Sequence, residues 1–494
     1  MGEPTSAKPS GLAAVKWMPW AAVIFGLWTV SAILSSRCLY ADGSHEFVRV
    51  LEAQDFVALM WSRHFAFYVY QFPLVLAIKL GIMDLHWLRV AFGLGCFLPW
   101  PLALFCCWRI SKKYFWLAAA GCAAGYLNAA FMAVGEHILA HALFWPALFV
   151  LLFSALDLFA AAVLLAAATG LVFCYESQIF LCVPLAGLAL WRAWGERSAH
   201  RPLAGTVFLT AAALFLGSIC VGLGGVFLPE APANLYGFKH GAIAILQHTG
   251  WTLDCTLVWA GLVLAACGPE KIAQFIIRPA VTYLLLALFL VWGAWPLLAP
   301  GRLDNAVQFD NRYLDLLVPL ALLPVALIAR FRPRWLESRQ TLLVQLIAAL
   351  WIAQSLWQIS ATVNWYHDVM WMRETLATRQ GVIPVRVTVL AADRMQGGDV
   401  LPHSNSGRFE WSWPCLSISL ATTTNINCLI CSELYLDPVR RATVWEPFDP
   451  LNPEKLPRLE HYGIRFDGYT NALPFDPGNV YTFKFQPGNK NKSQ

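Results

Sequence analysis

Charged side chains are scarce in this chain: Asp, Glu, Lys and Arg make up 13% of 494 residues, against 58% hydrophobic residues and a mean hydropathy of +0.55. A water-soluble domain has nowhere to hide that much apolar surface, which excludes a soluble enzyme or adaptor. The formal charge of +5 comes from basic residues in short loops rather than one broad patch, so no nucleic-acid partner is expected. Also missing is a short apolar core followed by a small-residue cleavage site at the amino terminus, so the first apolar run is expected to stay in the protein. No internal repeat is visible. There is no second CxxC to accompany Cys428 and Cys431, which makes a poor zinc signature. Most of the thirteen cysteines lie in apolar runs, where cysteine acts as a small hydrophobe. Cys415, Cys428 and Cys431 are the ones in which a disulfide is expected.

What is present is a series of apolar runs long enough for a hydrocarbon core of about 30 Å. They cover residues 17–36, 86–108, 114–135, 138–156, 158–175, 179–194, 203–227, 251–267, 279–299, 313–330 and 341–359, which predicts a mainly α, polytopic membrane protein of about eleven spans. Lys16, Arg109, Lys112, Arg197, Arg201, Arg278, Arg330 and Arg334 then all fall on the side of the amino terminus, which the positive-inside rule makes cytoplasmic. Residues 65–83 are apolar but carry Gln71, Pro73 and Lys79 and read as a helix in the outer interface. Trp17, Trp87, Trp145 and Trp251 are expected to form interface belts. From Asn364 the texture changes to short β-prone runs, at 385–390, 416–420 and 480–485, between Pro, Gly, Asn and Asp turns. This divides the chain into a membrane domain, 1–362, and an extracytoplasmic α/β or β-rich domain, 363–494, with a helix over 363–379 linking the two.

With that topology the ionisable residues crowd the outer face, Glu176 among them. Directly after the first span comes Tyr40-Ala41-Asp42-Gly43-Ser44-His45-Glu46, where Gly43 permits a sharp turn that would hold Asp42 at the membrane surface. The following stretch is amphipathic, with Phe47, Val50 and Leu51 on one face and Glu46, Arg49 and Glu52 on another, as for a helix resting on headgroups. At the outer start of the fourth span lie Glu136, His137 and His141. The histidines are four apart, share a helix face and could bind a divalent metal, or they are interfacial groups bonded to nearby loops. Arg312 and Tyr313 open a late span, where a planar guanidinium can fork onto a lipid phosphate or pair as an anchor with Asp310 or Asp315.

In this order the features resemble the GT-C superfamily of membrane glycosyltransferases, of the protein O-mannosyltransferase and aminoarabinose transferase type. The resemblance rests on Asp42 after span one, a long first outer loop with a Pro73-bearing amphipathic segment, the entry His86-Trp87-Leu88-Arg89, Glu136 at span four, and Arg312-Tyr313 before a Pro-containing span. Many relatives carry an Asp-Glu pair after span one, whereas here Gly43 and Ser44 follow Asp42 and the next acid is Glu46. The resemblance implies a polyprenyl-phosphate sugar donor entering from the bilayer of a bacterial inner membrane, and a lipid, glycan or protein acceptor outside. On that expectation Asp42 and Glu136 are catalytic, with Glu46, His45, Arg63, His137, Lys239, Arg312 and Tyr313 binding substrate. The competing class is a transporter or lipid-handling protein without chemistry; the third is an assembly protein working through residues 364–494.

Overall fold

The computed structural model describes residues 17–58, 60–129, 134–176, 178–228, 314–378, 381–388, 412–421, 427–431, 455–462 and 481–484, with a few single positions between them. The fold is mainly helical. Helix α1 is Trp17–Leu34, and α2, Asp42–Ala53, follows a 3-10 turn at Arg37–Leu39. A second 3-10 turn, Trp61–Arg63, leads into α3, His64–Lys79. Then come α4, Leu85–Phe97, and α5, Pro99–Ile110. Helix α6, Phe115–Gly121, runs through a π-helical turn, Cys122–Tyr126, into the single turn α7, Leu127–Ala129. Helices α8, Glu136–Phe153, α9, Leu158–Val172, α10, Gln178–Ser198, and α11, Pro202–Phe227, complete the first part of the bundle. After them come α12, Leu314–Phe331, and α13, Pro333–Thr378.

Among the described residues, five helices are long and apolar enough to cross a membrane: α1, α8, α10, α11 and the stretch Arg339–Thr378 of α13. Counting α4 and α5 as one broken span makes six. That pair bends by 42° where Pro99 removes a backbone donor. The runs expected at 114–135, 158–175 and 313–330 form shorter apolar helices, and those at 251–267 and 279–299 lie outside the described residues. The eleven spans are therefore not all present as full-length helices among the described residues.

A helix that is apolar all round still has an inside. In α1, Ala21, Phe25, Trp28 and Ala32 are buried while Trp20, Val23, Leu27, Val30 and Leu34 are exposed, two stripes each stepping by three or four residues. The buried stripe enters an aromatic core of Phe25, Trp28, Trp100, Tyr126 and Trp351. Helix α8 is the bundle's centre, with fifteen of its eighteen residues buried. Its Trp145 packs directly over Gly121, where a Cβ would stand 2.3 Å from the indole. Trp145 is therefore core, not interface belt; Trp17 and Trp87 are exposed as expected of belt residues. In α3, Tyr68, Phe72 and Leu76 form an exposed stripe four residues apart, and the opposite face packs on α4. Arg37 ties α1 to α13, donating to Gln358 Oε1 at 2.9 Å and Thr362 Oγ1 at 2.8 Å.

Helix α13 is continuous for 46 residues, about 69 Å at 1.5 Å per residue, so it passes through the boundary drawn at 362/363 without a break. The linking helix expected over 363–379 is its last third. Gly381, at φ +76°, turns the chain into β1, Val382–Thr388, the centre of a three-stranded parallel sheet. Its neighbours are β2, Cys428–Cys431, with Val382 opposite Cys428, and β3, Tyr481–Lys484, with Val385 opposite Tyr481. Cys428 and Cys431 lie in one extended strand, about 10 Å apart, and cannot pair with each other. The β-prone run at 416–420 is instead part of a helix, α14, Trp413–Leu420. Pro414 starts it, and the hydroxyls of Ser417 and Ser419 bond back to Trp413 and Cys415 carbonyls inside a fully buried environment where a strand would leave them without ladder partners.

Candidate active site

Helix α2 begins under strain. Ala41 takes φ +51°, a left-handed conformation that an alanine rarely adopts, and Asp42 is then the first helical residue, where a carboxylate meets the positive end of the helix. Gly43 does not supply a sharp turn. It lies inside the helix, against the Cys38 carbonyl, where a Cβ would come within 1.7 Å of the oxygen and 3.2 Å of Val134 Cγ2. Glycine is needed for close approach, and that approach brings the start of α2 to the strand-like entry of α8.

Nor does α2 rest on headgroups. Residues 43–48, Val50 and Leu51 are buried, because α3 and α14 pack on the helix and Phe92 of α4 lies against Phe47. Asp42 is exposed at its end, while Glu46, one turn on, points inward. Glu46 Oε2 is buried with no hydrogen-bond partner among the described residues, and the Gln71 amide reaches the carboxyl group. The same amide clamps the loop before α3, accepting from the Val57 N–H and donating to the Val57 carbonyl, each at 2.8 Å. Burial, then the neighbouring Glu136 and Asp42, push Glu46 well above the usual carboxylate range. His45 is buried beside it, and burial together with Arg49 pulls its imidazole down to about 4.

Glu136 opens α8 after the extended Gly135, whose carbonyl accepts from the Tyr70 hydroxyl. Its carboxylate is bound by Arg63 Nη1 at 3.1 Å. The other side of that guanidinium forks onto Glu176, with Nε 3.1 Å from both oxygens and Nη2 2.9 Å from Oε2. Ser62 Oγ adds a 2.7 Å bond to Glu176, and the Tyr175 ring lies 4.7 Å below the Arg63 guanidinium. Burial opposes the charge on Arg63, yet Glu136, Tyr175 and Glu176 outweigh it and raise the group above its ordinary value. Arg63 is thus a fixed bridge between two carboxylates.

Two carboxylates, Glu136 and Glu176, share the Arg63 guanidinium. Asp42 and Glu136 both act electrostatically on Glu46. His137 lies at the edge of this cluster with its ring 5.8 Å from Tyr175. His141, one turn further, leaves it: its ring stands edge-on to Trp100 at 4.8 Å and beside Trp145 at 6.2 Å. Among the described residues no three His, Cys, Asp or Glu side chains form a metal-holding group, so the His137–His141 pair does not fit a metal site there. Lys239, Arg312 and Tyr313 lie outside the described residues.

Glu176, Ser62, Tyr70, Gln71 and Tyr175 were not singled out as site residues from the sequence. Only Glu176, as an acid on the outer face, carried a signal; Ser62 and Tyr175 are set by how the Trp61–Arg63 turn meets the α9–α10 connection, and Tyr70 and Gln71 by the contacts of α3 with Gly135 and Val57. Arg89, part of the family-like entry to α4, donates to the Ser419 carbonyl at 2.7 Å and closes the end of α14. Set against protein families, curated proteins and solved structures, the chain matches none.

Proposed function

We propose that the protein is an integral membrane glycosyltransferase that moves a sugar from a polyprenyl-phosphate donor to an acceptor outside the membrane, with inversion at the anomeric carbon. The observation that carries the reading is the close approach of Gly43 to Val134, which brings the start of α2, with Asp42 and Glu46, to the Glu136 end of α8, beside apolar helices through which a lipid-linked donor can approach. A glycosyl phosphate already has a good leaving group, so the reaction needs a base for the acceptor hydroxyl and cations for the departing phosphate. Asp42, the exposed carboxylate, takes the hydroxyl proton while the acceptor oxygen attacks the anomeric carbon and the bond to phosphate oxygen breaks. Glu136, fixed by Arg63, and the buried Glu46 hold acceptor hydroxyls. Phosphate binding falls to Arg312 and Lys239, because Arg63 is occupied and the carboxyl cluster repels anions. The full span count of about eleven, with the amino terminus cytoplasmic and the sheet domain outside, belongs to the same proposal.

Asp42→Asn is expected to abolish sugar transfer in membranes supplied with radiolabelled polyprenyl-phosphate sugar, while expression and topology stay intact. Full activity in that variant overturns the assignment. A second reading, a proton-coupled transporter, draws on the buried Glu46, whose carboxyl is raised above its usual range. Reconstituted vesicles separate the two: a transporter accumulates solute under a proton gradient without making a glycosidic bond, and loses that coupling in Glu46→Gln.

A further inference from the structure

Away from the carboxyl cluster, α8, α10 and α12 all end around a cleft of about 420 Å³. Phe153, Trp191, Arg192, Glu196, Arg201 and Arg330 line it, three guanidiniums against one carboxylate. Arg192 is fully engaged: it donates to the Ser154 carbonyl at 3.1 Å and the Leu151 carbonyl at 3.4 Å, closing the end of α8, and its Nη2 meets Glu196 at 3.4 Å. Arg201 reaches Glu196 only at 3.8 Å with 72% of its side chain exposed. Arg330, in the last turn of α12, is exposed and close enough to repel Arg192. One carboxylate therefore serves two arginines and none serves the third in the cleft. The rim is aromatic, with Trp191 edge-on to Phe331 at 5.3 Å, both exposed where apolar helices stop.

We propose that this cleft binds a phosphate group, with Arg201 and Arg330 as the binding pair and Arg192 as the fixed floor. A phosphate offers each guanidinium a planar two-oxygen partner and supplies the negative charge the cleft lacks. Its source is the headgroup of an anionic phospholipid, whose acyl chains the Trp191–Phe331 rim would receive, or free phosphate. The volume suits a phosphate with a small alcohol attached.

The test uses the full chain in uncharged detergent, following Tm against dihexanoyl phosphatidylglycerol, dihexanoylglycerol and inorganic phosphate at constant ionic strength. Phosphatidylglycerol is expected to raise Tm by several degrees and dihexanoylglycerol to leave it unchanged. A shift with phosphatidylglycerol alone identifies a lipid headgroup; an equal shift with inorganic phosphate identifies the free anion. The exposed pair Arg201→Gln and Arg330→Gln is expected to weaken the apparent affinity at least tenfold, and Arg330→Gln alone, which leaves every Glu196 contact in place, to weaken it in part. The proposal is overturned if neither phosphate-bearing probe shifts Tm, if dihexanoylglycerol acts as strongly, or if the variants keep wild-type affinity.

Discussion

His45 and Glu46 are neighbours in α2, both buried, and burial moves them in opposite directions. His45 titrates near 4 in the folded chain against an ordinary 6.5, so its contribution is complete above 6.5 and is lost as pH falls through about 4. That loss is on the order of 3 kcal/mol. Glu46 is raised, so its contribution is complete below the ordinary carboxylate range and declines as pH rises through the raised value. Tm recorded from pH 4 to 9 is expected to show a flatter acid limb in His45→Gln and a flatter alkaline limb in Glu46→Gln. Curves parallel to wild type in both variants would remove burial as the cause. Arg63 is the third residue whose worth is set by its surroundings. Arg63→Ala leaves Glu136 and Glu176 buried without their shared cation, an expected loss of about 3–5 kcal/mol. Adding Glu176→Gln is expected to recover part of it, and a Tm equal to that of wild type in the single variant would show the bridge to be idle.

At the scale of elements, position depends on where backbone meets backbone. Gly43→Ala sets a methyl group against the Cys38 carbonyl, so α2 must shift at its first turn, carrying Asp42 with it. Transfer is expected to fall to background and Tm to drop, whereas Gly26→Ala in α1, with nothing within 4 Å, is expected to leave both unchanged or raise Tm slightly. Equal behaviour of the two variants would show that α2 tolerates the displacement. This contrast also marks what the sequence could and could not disclose. The apolar runs that became α1, α8, α10 and α11 were legible because length and composition decide them. The inward turn of α2 was not, since Glu46 lies on the polar face of its own helix and only the covering by α3 and α14 makes that face interior. For the same reason α14 was misread as strand: its Ser417 and Ser419 suit either period, and burial selects the one that satisfies its own backbone. Within the site, Asp42 and Glu136 stood out as acids beside apolar runs, while Gln71, Tyr70 and Ser62 became partners through contacts between segments distant in sequence.

For the whole molecule, the sheet domain is not an appendage. Helix α14 packs on α2, Ser44 Oγ reaches the Ser412 carbonyl at 3.5 Å, and the Arg458 N–H reaches Glu52 at 3.2 Å. Deleting residues 379–494 would strip one side of α2 along with the domain, so loss of activity on truncation does not distinguish an enzyme from an adaptor. The better probe is α13, which joins the two parts without a joint. Asn427 pins its end to the sheet, bonding the Leu376 carbonyl at 2.6 Å and the Gly381 N–H at 2.8 Å. A helix carries angular phase along its length. One alanine inserted after Tyr366 turns everything beyond it by about 100°, and seven keep the bearing to within about 20° but lift it about 10 Å. Both insertions are expected to unseat α14 from α2 and lower Tm, and a wild-type Tm in either would mean the domain finds its seat without guidance. Helix α13 therefore works as a gauge rod: its length beyond Tyr366 fixes both the compass direction and the altitude at which α14 meets α2.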